Sequence, residues 1–147
     1  MSGERDVLLA FDFGLRRIGI ASGNLLTRTA SPLETLHRNA DIPWQELDRL
    51  VSEWQPAQLV VGMPESSGAA GIRTEIETFI AALGRRYDLP VATVDESLTS
   101  RAAQSSVRDG RRSGYLRRRV DKGRLDKLAA ALIAEQWMTE RPRPDER

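Results

Sequence analysis

The run Leu8-Leu9-Ala10-Phe11-Asp12-Phe13-Gly14 constrains this chain more than any other. An apolar strand ends in a carboxylate, with a glycine two residues further on. A charge among buried strand residues is costly unless something compensates it, and a bound cation does so directly. Gly14 leaves room for a tight turn and for a phosphate group to approach the backbone. A simpler reading stays open at this point, an Asp that ends a strand and starts a turn. Arg16 and Arg17 come next, then a second apolar run, Ile18-Gly19-Ile20-Ala21. The link Gly14-Leu15-Arg16 is short enough for a hairpin, so strands over 7–13 and 17–22 are expected to pair antiparallel.

A third, edge strand is expected over 28–32. Trp44, Leu47, Leu50, Val51 and Trp54 form one apolar stripe on a helix over 42–54, which Pro56 stops. The almost wholly apolar stretch 58–62 reads as a strand buried on both faces of a parallel sheet. A small-residue loop over 63–71 leads to a helix over 72–87, with Ile72, Ile76, Phe79, Ile80 and Leu83 at helical spacing. A strand over 90–95, a helix over 98–107 and an amphipathic helix over 124–138 follow. This order predicts an α/β fold, a mixed central sheet flanked by helices, in a single domain over 1–138. Residues 139–147 alternate proline with charge and read as a frayed tail.

Composition narrows the classes. The chain contains no cysteine among its 147 residues, which excludes disulfides and cysteine-ligated zinc and fits a reducing compartment. Its N-terminus is short and polar with no apolar signal core, and no stretch approaches the ~20 apolar residues of a membrane helix. The expectation is a soluble cytoplasmic protein that meets no membrane.

Three carboxylate positions stand at comparable places in this architecture. Asp12 ends the first strand, the pair Asp95-Glu96 ends the last, and Asp126 lies in the first turn of the final helix. Ligands of open α/β sheets collect at strand ends, so these groups are candidates to converge. Ala129 and Ala130 share a helical face with Asp126 and would let that helix approach the sheet closely. A carboxylate in a first helical turn also complements the helix dipole, so Asp126 alone decides nothing. Asp95 and Glu96 point to opposite faces of their strand, and spacing does not choose between them. Carboxylates without His or Cys make a hard oxygen site, which selects Mg²⁺ or Mn²⁺ over zinc. Two such ions, roughly 3.5–4 Å apart, suit in-line displacement at a phosphodiester.

The segment 108–124 is the second clue. It holds Arg108, Arg111, Arg112, Arg117, Arg118, Arg119, Lys122 and Arg124 against only Asp109 and Asp121, with Tyr115 within it. A basic segment leading directly into a carboxylate site suits a nucleic-acid backbone, and Tyr115 suits stacking on an unpaired base. The bland alternative is a solvated charge run. The turn at Gly62-Met63-Pro64 is a weak candidate for receiving phosphate, and it lacks the ending of a P-loop. His37, the only histidine, has no assigned role.

These residues form a recognisable set. Leu9-Ala10-Phe11-Asp12-Phe13-Gly14 with Arg17-Ile18-Gly19-Ile20-Ala21, Val60-Val61-Gly62-Met63-Pro64, Val94-Asp95-Glu96-Ser97-Leu98-Thr99-Ser100, and Lys122-Gly123-Arg124-Leu125-Asp126 with Ala129-Ala130 closely resemble the YqgF (RuvX) family. The four motifs keep the family's order and span nearly the whole chain. The resemblance implies an RNase H-like fold related to the RuvC Holliday junction resolvases. It also implies a metal-dependent nuclease that matures the 5′ end of pre-16S rRNA. Carried over by position, the family's acidic triad falls on Asp12, Glu96 and Asp126, which favours Glu96 over Asp95. One departure stands out: Ser97 occupies the place where the family commonly has an arginine. If that arginine contacts the scissile phosphate, Arg16, Arg17 or Arg101 must serve here, or activity is weaker.

The expected function is therefore a divalent-metal endonuclease acting on structured RNA, monomeric or weakly dimeric. Asp12 would bridge two Mg²⁺ or Mn²⁺ ions and Glu96 and Asp126 would complete the shell. Arg16, Arg17, Arg111, Arg112, Tyr115, Arg117, Arg118, Arg119 and Lys122 would bind nucleic acid. The nearest alternative keeps the site and cuts four-way DNA junctions, which calls for a dimer. A non-catalytic factor that binds RNA or the transcription machinery would keep the basic segment without depending on the triad. A nucleotide-dependent kinase or ATPase also opens with a strand and Asp-x-Gly, but such proteins pair two domains.

Overall fold

A computed structural model describes residues 6–39, 41–63, 70–95 and 122–140. Five strands form one sheet in the order β3-β2-β1-β4-β5. β1 is Val7–Phe13, β2 Arg17–Asn24, β3 Thr29–His37, β4 Gln58–Met63 and β5 Val91–Asp95. The expected hairpin is present: β1 and β2 run antiparallel from Val7↔Asn24 to Phe13↔Ile18, and the Gly14 amide closes the turn on the Arg17 carbonyl at 2.9 Å. β4 joins the other side of β1 in parallel, and β5 extends the sheet in parallel from β4. The sheet is thus mixed.

β3 is longer than its sequence suggests. It continues to His37 and pairs with β2 throughout, with a bulge between Ile20 and Ala21 that leaves Leu33 without a partner in the register. Pro32 sits at that irregularity on an edge strand, where a missing N–H is tolerated. Three helices flank the sheet among the described residues: α1 (Trp44–Trp54), α2 (Ala70–Tyr87) and α3 (Lys122–Glu140). α1 ends as Pro56 requires, with Gln55 left-handed at φ 46° and its N–H returned to the Val51 carbonyl. α2 begins two residues before its apolar spacing starts, and Met63 belongs to β4 rather than to the loop. α3 also carries Thr139 and Glu140, which the proline-rich ending had suggested for the tail. The helix expected over 98–107 lies outside the described residues. None of the helices among the described residues is long and apolar enough to cross a membrane.

Strand alternation divides the core into two faces. Leu9, Phe11, Phe13, Ile18, Ile20, Leu59 and Val61 face α1 and α2, packing with Leu47, Leu50, Ile76, Phe79 and Leu83. Phe79 is the aromatic centre of this layer, edge-on to Phe11 at 5.8 Å and tilted against Phe13 at 4.7 Å. Leu8, Ala10, Val60 and Val94 face α3, packing with Ile133, Ala134 and Met138. On the same side Ala21 meets Ala130 and Ala131. This second layer is thin because its helix presents mainly alanines.

Candidate active site

The thin layer carries two of the expected carboxylates, Asp12 and Asp126. Asp12 follows Leu8 and Ala10 in strand alternation, so it belongs to the α3 face, and it is partly buried there. Its partner across the hairpin is Gly19. A Cβ built on Gly19 would run into the backbone carbonyl of Asp126 and the amide nitrogen of Lys127. The main chain of α3 therefore lies directly on β2 at the residue opposite Asp12, and only glycine admits it. Two carboxylates far apart in sequence, Asp12 and Asp126, are brought to one side of one strand pair.

Asp126 is fixed by a third residue of the same neighbourhood. Arg17 shares its strand face with Gly19, and its Nε donates to Asp126 Oδ2 at 2.6 Å. Both side chains are partly buried. Arg16, one position earlier in the turn, is exposed. The turn itself is held from the opposite face by Arg38. The Arg38 side chain is only 5 % exposed. Its guanidinium lies 4.6 Å from the centre of the Phe13 ring. Its Nε donates to the Leu15 carbonyl at 2.9 Å and its Nη2 to Glu75 at 3.0 Å.

Asp95 ends β5 beside Met63 in the register. Val94 packs towards α3, so Asp95 belongs to the other face of the sheet. Glu96, Ser97, Arg101, Arg111, Arg112, Tyr115, Arg117, Arg118 and Arg119 lie outside the described residues, as does the Lys122 side chain. Gly62 is the penultimate residue of β4, opposite Val94 in the register, and Pro64 lies beyond the described residues. His37 stands opposite Arg17 in the register, exposed at the sheet edge.

The donor chemistry present is all oxygen, from two carboxylates on one face, and fits a hard divalent cation. Among the described residues no cluster of three or more His, Cys, Asp or Glu is assembled. The roles of Gly19 and Arg38 escaped the sequence reading. Gly19 was accessible to it, since an isolated glycine between two strand isoleucines marks a close backbone approach. Nothing in the sequence marks Arg38 as nearly buried.

The model of the RuvX family, described as "Holliday junction resolvase", matches residues 6–140. An Azotobacter vinelandii protein named "Putative pre-16S rRNA nuclease" is 42 % identical over 146 residues, covering 97 % of this chain and 99 % of that protein. A protein of the same name from Legionella pneumophila subsp. pneumophila is 38 % identical, covering 91 % and 96 %. Among solved structures, T. thermophilus RuvC in complex with a Holliday junction substrate superposes with a TM-score of 0.55 at 13 % identity, covering 91 % of this chain and 96 % of that one. The Fowlpox virus Holliday junction resolvase gives a TM-score of 0.55 at 12 % identity, with 90 % and 97 % covered. At these identities the structural likeness establishes the fold, which is RNase H-like.

Proposed function

The chain belongs to the RuvX family, and on that premise we propose that it is the endonuclease that processes the 5′ end of pre-16S rRNA, with Asp12, Glu96 and Asp126 as its acidic triad. It is a hydrolase of phosphodiester bonds that acts on nucleic acid, and nucleases of this fold are generally dependent on divalent metal. One observation carries the site: Gly19 lets Asp126 settle beside Asp12 on a single face of the sheet. The third carboxylate of this proposal is Glu96 rather than Asp95, because Asp95 belongs to the face away from α3. RNA is favoured over branched DNA because relatives at 38–42 % identity carry the rRNA name, whereas the junction resolvases are similar in fold alone.

Asp12, Glu96 and Asp126 would hold two Mg²⁺ or Mn²⁺ ions. When bound, such ions activate water and stabilise the leaving oxygen at a phosphodiester. The protein's part is to align the carboxylates and to present cations to the backbone. Arg16 is available on the hairpin turn, and the basic segment 108–124 supplies the rest in this proposal. In this reading the protein works in the cytoplasm, where its rRNA precursor is made.

The test is cleavage of a labelled pre-16S rRNA 5′ segment and of a synthetic four-way DNA junction. Wild type and Asp12→Asn are compared with Mg²⁺, with Mn²⁺ and with EDTA. Metal-dependent cutting of the RNA is expected, falling by at least roughly 100-fold in Asp12→Asn while the variant keeps its circular dichroism spectrum. Preferential cutting of the junction would move the substrate to DNA. Full activity in Asp12→Asn would remove the proposed site.

A further inference from the structure

The Arg17–Asp126 contact differs in kind from the Arg86–Asp48 pair. Arg86 grips Asp48 with two parallel N–H groups, Nε to Oδ1 at 2.8 Å and Nη2 to Oδ2 at 2.7 Å, and Tyr87 adds a third bond at 2.7 Å. That is a fork, built to stay. Arg17 reaches Asp126 through Nε alone, at 2.6 Å. The pair is about one quarter exposed, 27 % on the arginine and 24 % on the aspartate. It stands on the α3 face, where Asp12 brings a second negative charge.

The Asp126 carbonyl lies against Gly19, the residue opposite Asp12 in the hairpin register. The Asp126 side chain thus shares the α3 face with Asp12, where a counter-charge offsets the repulsion of two carboxylates. A guanidinium on one Nε bond supplies that charge and is replaceable. A divalent cation carries twice the charge and can engage several carboxylates at once.

We propose that Arg17 is the internal counter-ion of this site: it occupies the Asp126 carboxylate in the metal-free protein and competes with the divalent cation for it. The inference rests on the proposed metal site and adds a rule for loading it, that the cation must displace Arg17.

Binding of Mn²⁺ and Mg²⁺ to the full chain by titration calorimetry tests the rule without reference to cleavage. Arg17→Gln is expected to bind metal about 3–10-fold more tightly than wild type, because a competing charge-assisted contact is gone. Its melting temperature is expected to be lower without metal and to rise further with it. Arg16→Gln removes the same charge one residue away, from an exposed side chain that makes no ion pair among the described residues, and is expected to change affinity by less than about 2-fold. In wild-type protein, the Arg17 Nε–Hε resonance is expected to lose its hydrogen-bonded shift as Mg²⁺ is added, a readout that needs no variant to fold. Equal gains in Arg17→Gln and Arg16→Gln would reduce the effect to general electrostatics and overturn the proposal. So would unchanged or weaker binding in Arg17→Gln, or an Arg17 resonance unmoved at metal saturation. Metal binding absent from every variant and from wild type would overturn the metal site itself and this inference with it.

Discussion

Gly19 shows how one residue decides how closely a helix can approach a sheet. It sits inside an apolar strand, opposite Asp12, and the backbone of α3 occupies the space a side chain would take. The obstacle to a Cβ is main chain, which cannot rotate away. Gly23, two positions further along the same face, would instead meet the side chains of Leu8 and Met138 at 2.9–3.2 Å. Those side chains can move. Gly19→Ala is therefore expected to cost about 1–3 kcal/mol, lowering the melting temperature by roughly 3–10 °C, and to separate Asp126 from Asp12. Gly23→Ala is expected to cost less than Gly19→Ala, because side chains give way where main chain does not. Thermal unfolding of the two variants side by side checks this, and equal losses would mean that α3 is free to shift. The carboxylates were legible as residues, because a charge closing an apolar strand is visible in any sequence. The placing of Asp12 and Asp126 on one face was only partly legible. Ala129 and Ala130 announced a close helix, but the contact itself depends on a pairing between Gly19 and a helix far along the chain.

At the scale of elements, the layer opposite the site is held by a clamp between α1 and α2. Arg86 on α2 forks onto Asp48 on α1 while stacking 4.8 Å from the centre of the Trp44 ring. Tyr87 donates to the same carboxylate. The Arg86 hydrogen bonds, then that of Tyr87, lower the Asp48 carboxyl from 3.8 to about 2. Burial, aided by the Asp48 charge, pushes the Tyr87 hydroxyl above its usual range, so it remains a donor. A carboxylate whose folded pKa lies below its unfolded one stabilises the fold above the unfolded value. That contribution is lost as pH falls through the folded one. Between about pH 4 and pH 2, wild type is thus expected to lose stability more steeply than Asp48→Asn. Urea denaturation at stepped pH checks this, and parallel curves would count against the clamp. Elements with strong periodicity, such as β1, β4 and α1, were readable to within a residue or two. β3 was not, because Pro32 and its polar neighbours break the alternation, and its length is set by pairing with β2 rather than by its own residues.

The whole molecule is nearly neutral but not evenly so. Residues 108–124 carry eight basic and two acidic side chains, and the rest of the chain carries 14 basic and 19 acidic ones. A polyanion is therefore repelled by most of the chain and attracted by one segment, which the sequence joins directly to the Asp126 helix. Sequence makes that imbalance plain, and it makes a mixed sheet inferable from the hairpin and the two apolar strands that follow. It says nothing of where the basic side chains go. Their contribution is still measurable as counterion release, which depends on charge number and not on a particular geometry. Each phosphate contact adds about 0.7 to the salt slope of single-strand binding and about 0.9 for a duplex. Replacing Arg117, Arg118 and Arg119 together by glutamine is thus expected to flatten the slope of log affinity against log salt by roughly 2–3 on a structured RNA. Asp12→Asn should leave that slope unchanged, since it removes a negative charge at the proposed catalytic face and none of the cations. If the triple variant keeps the wild-type slope, the segment does not touch the backbone, and the hairpin turn with Arg16 becomes the surface that must hold the nucleic acid.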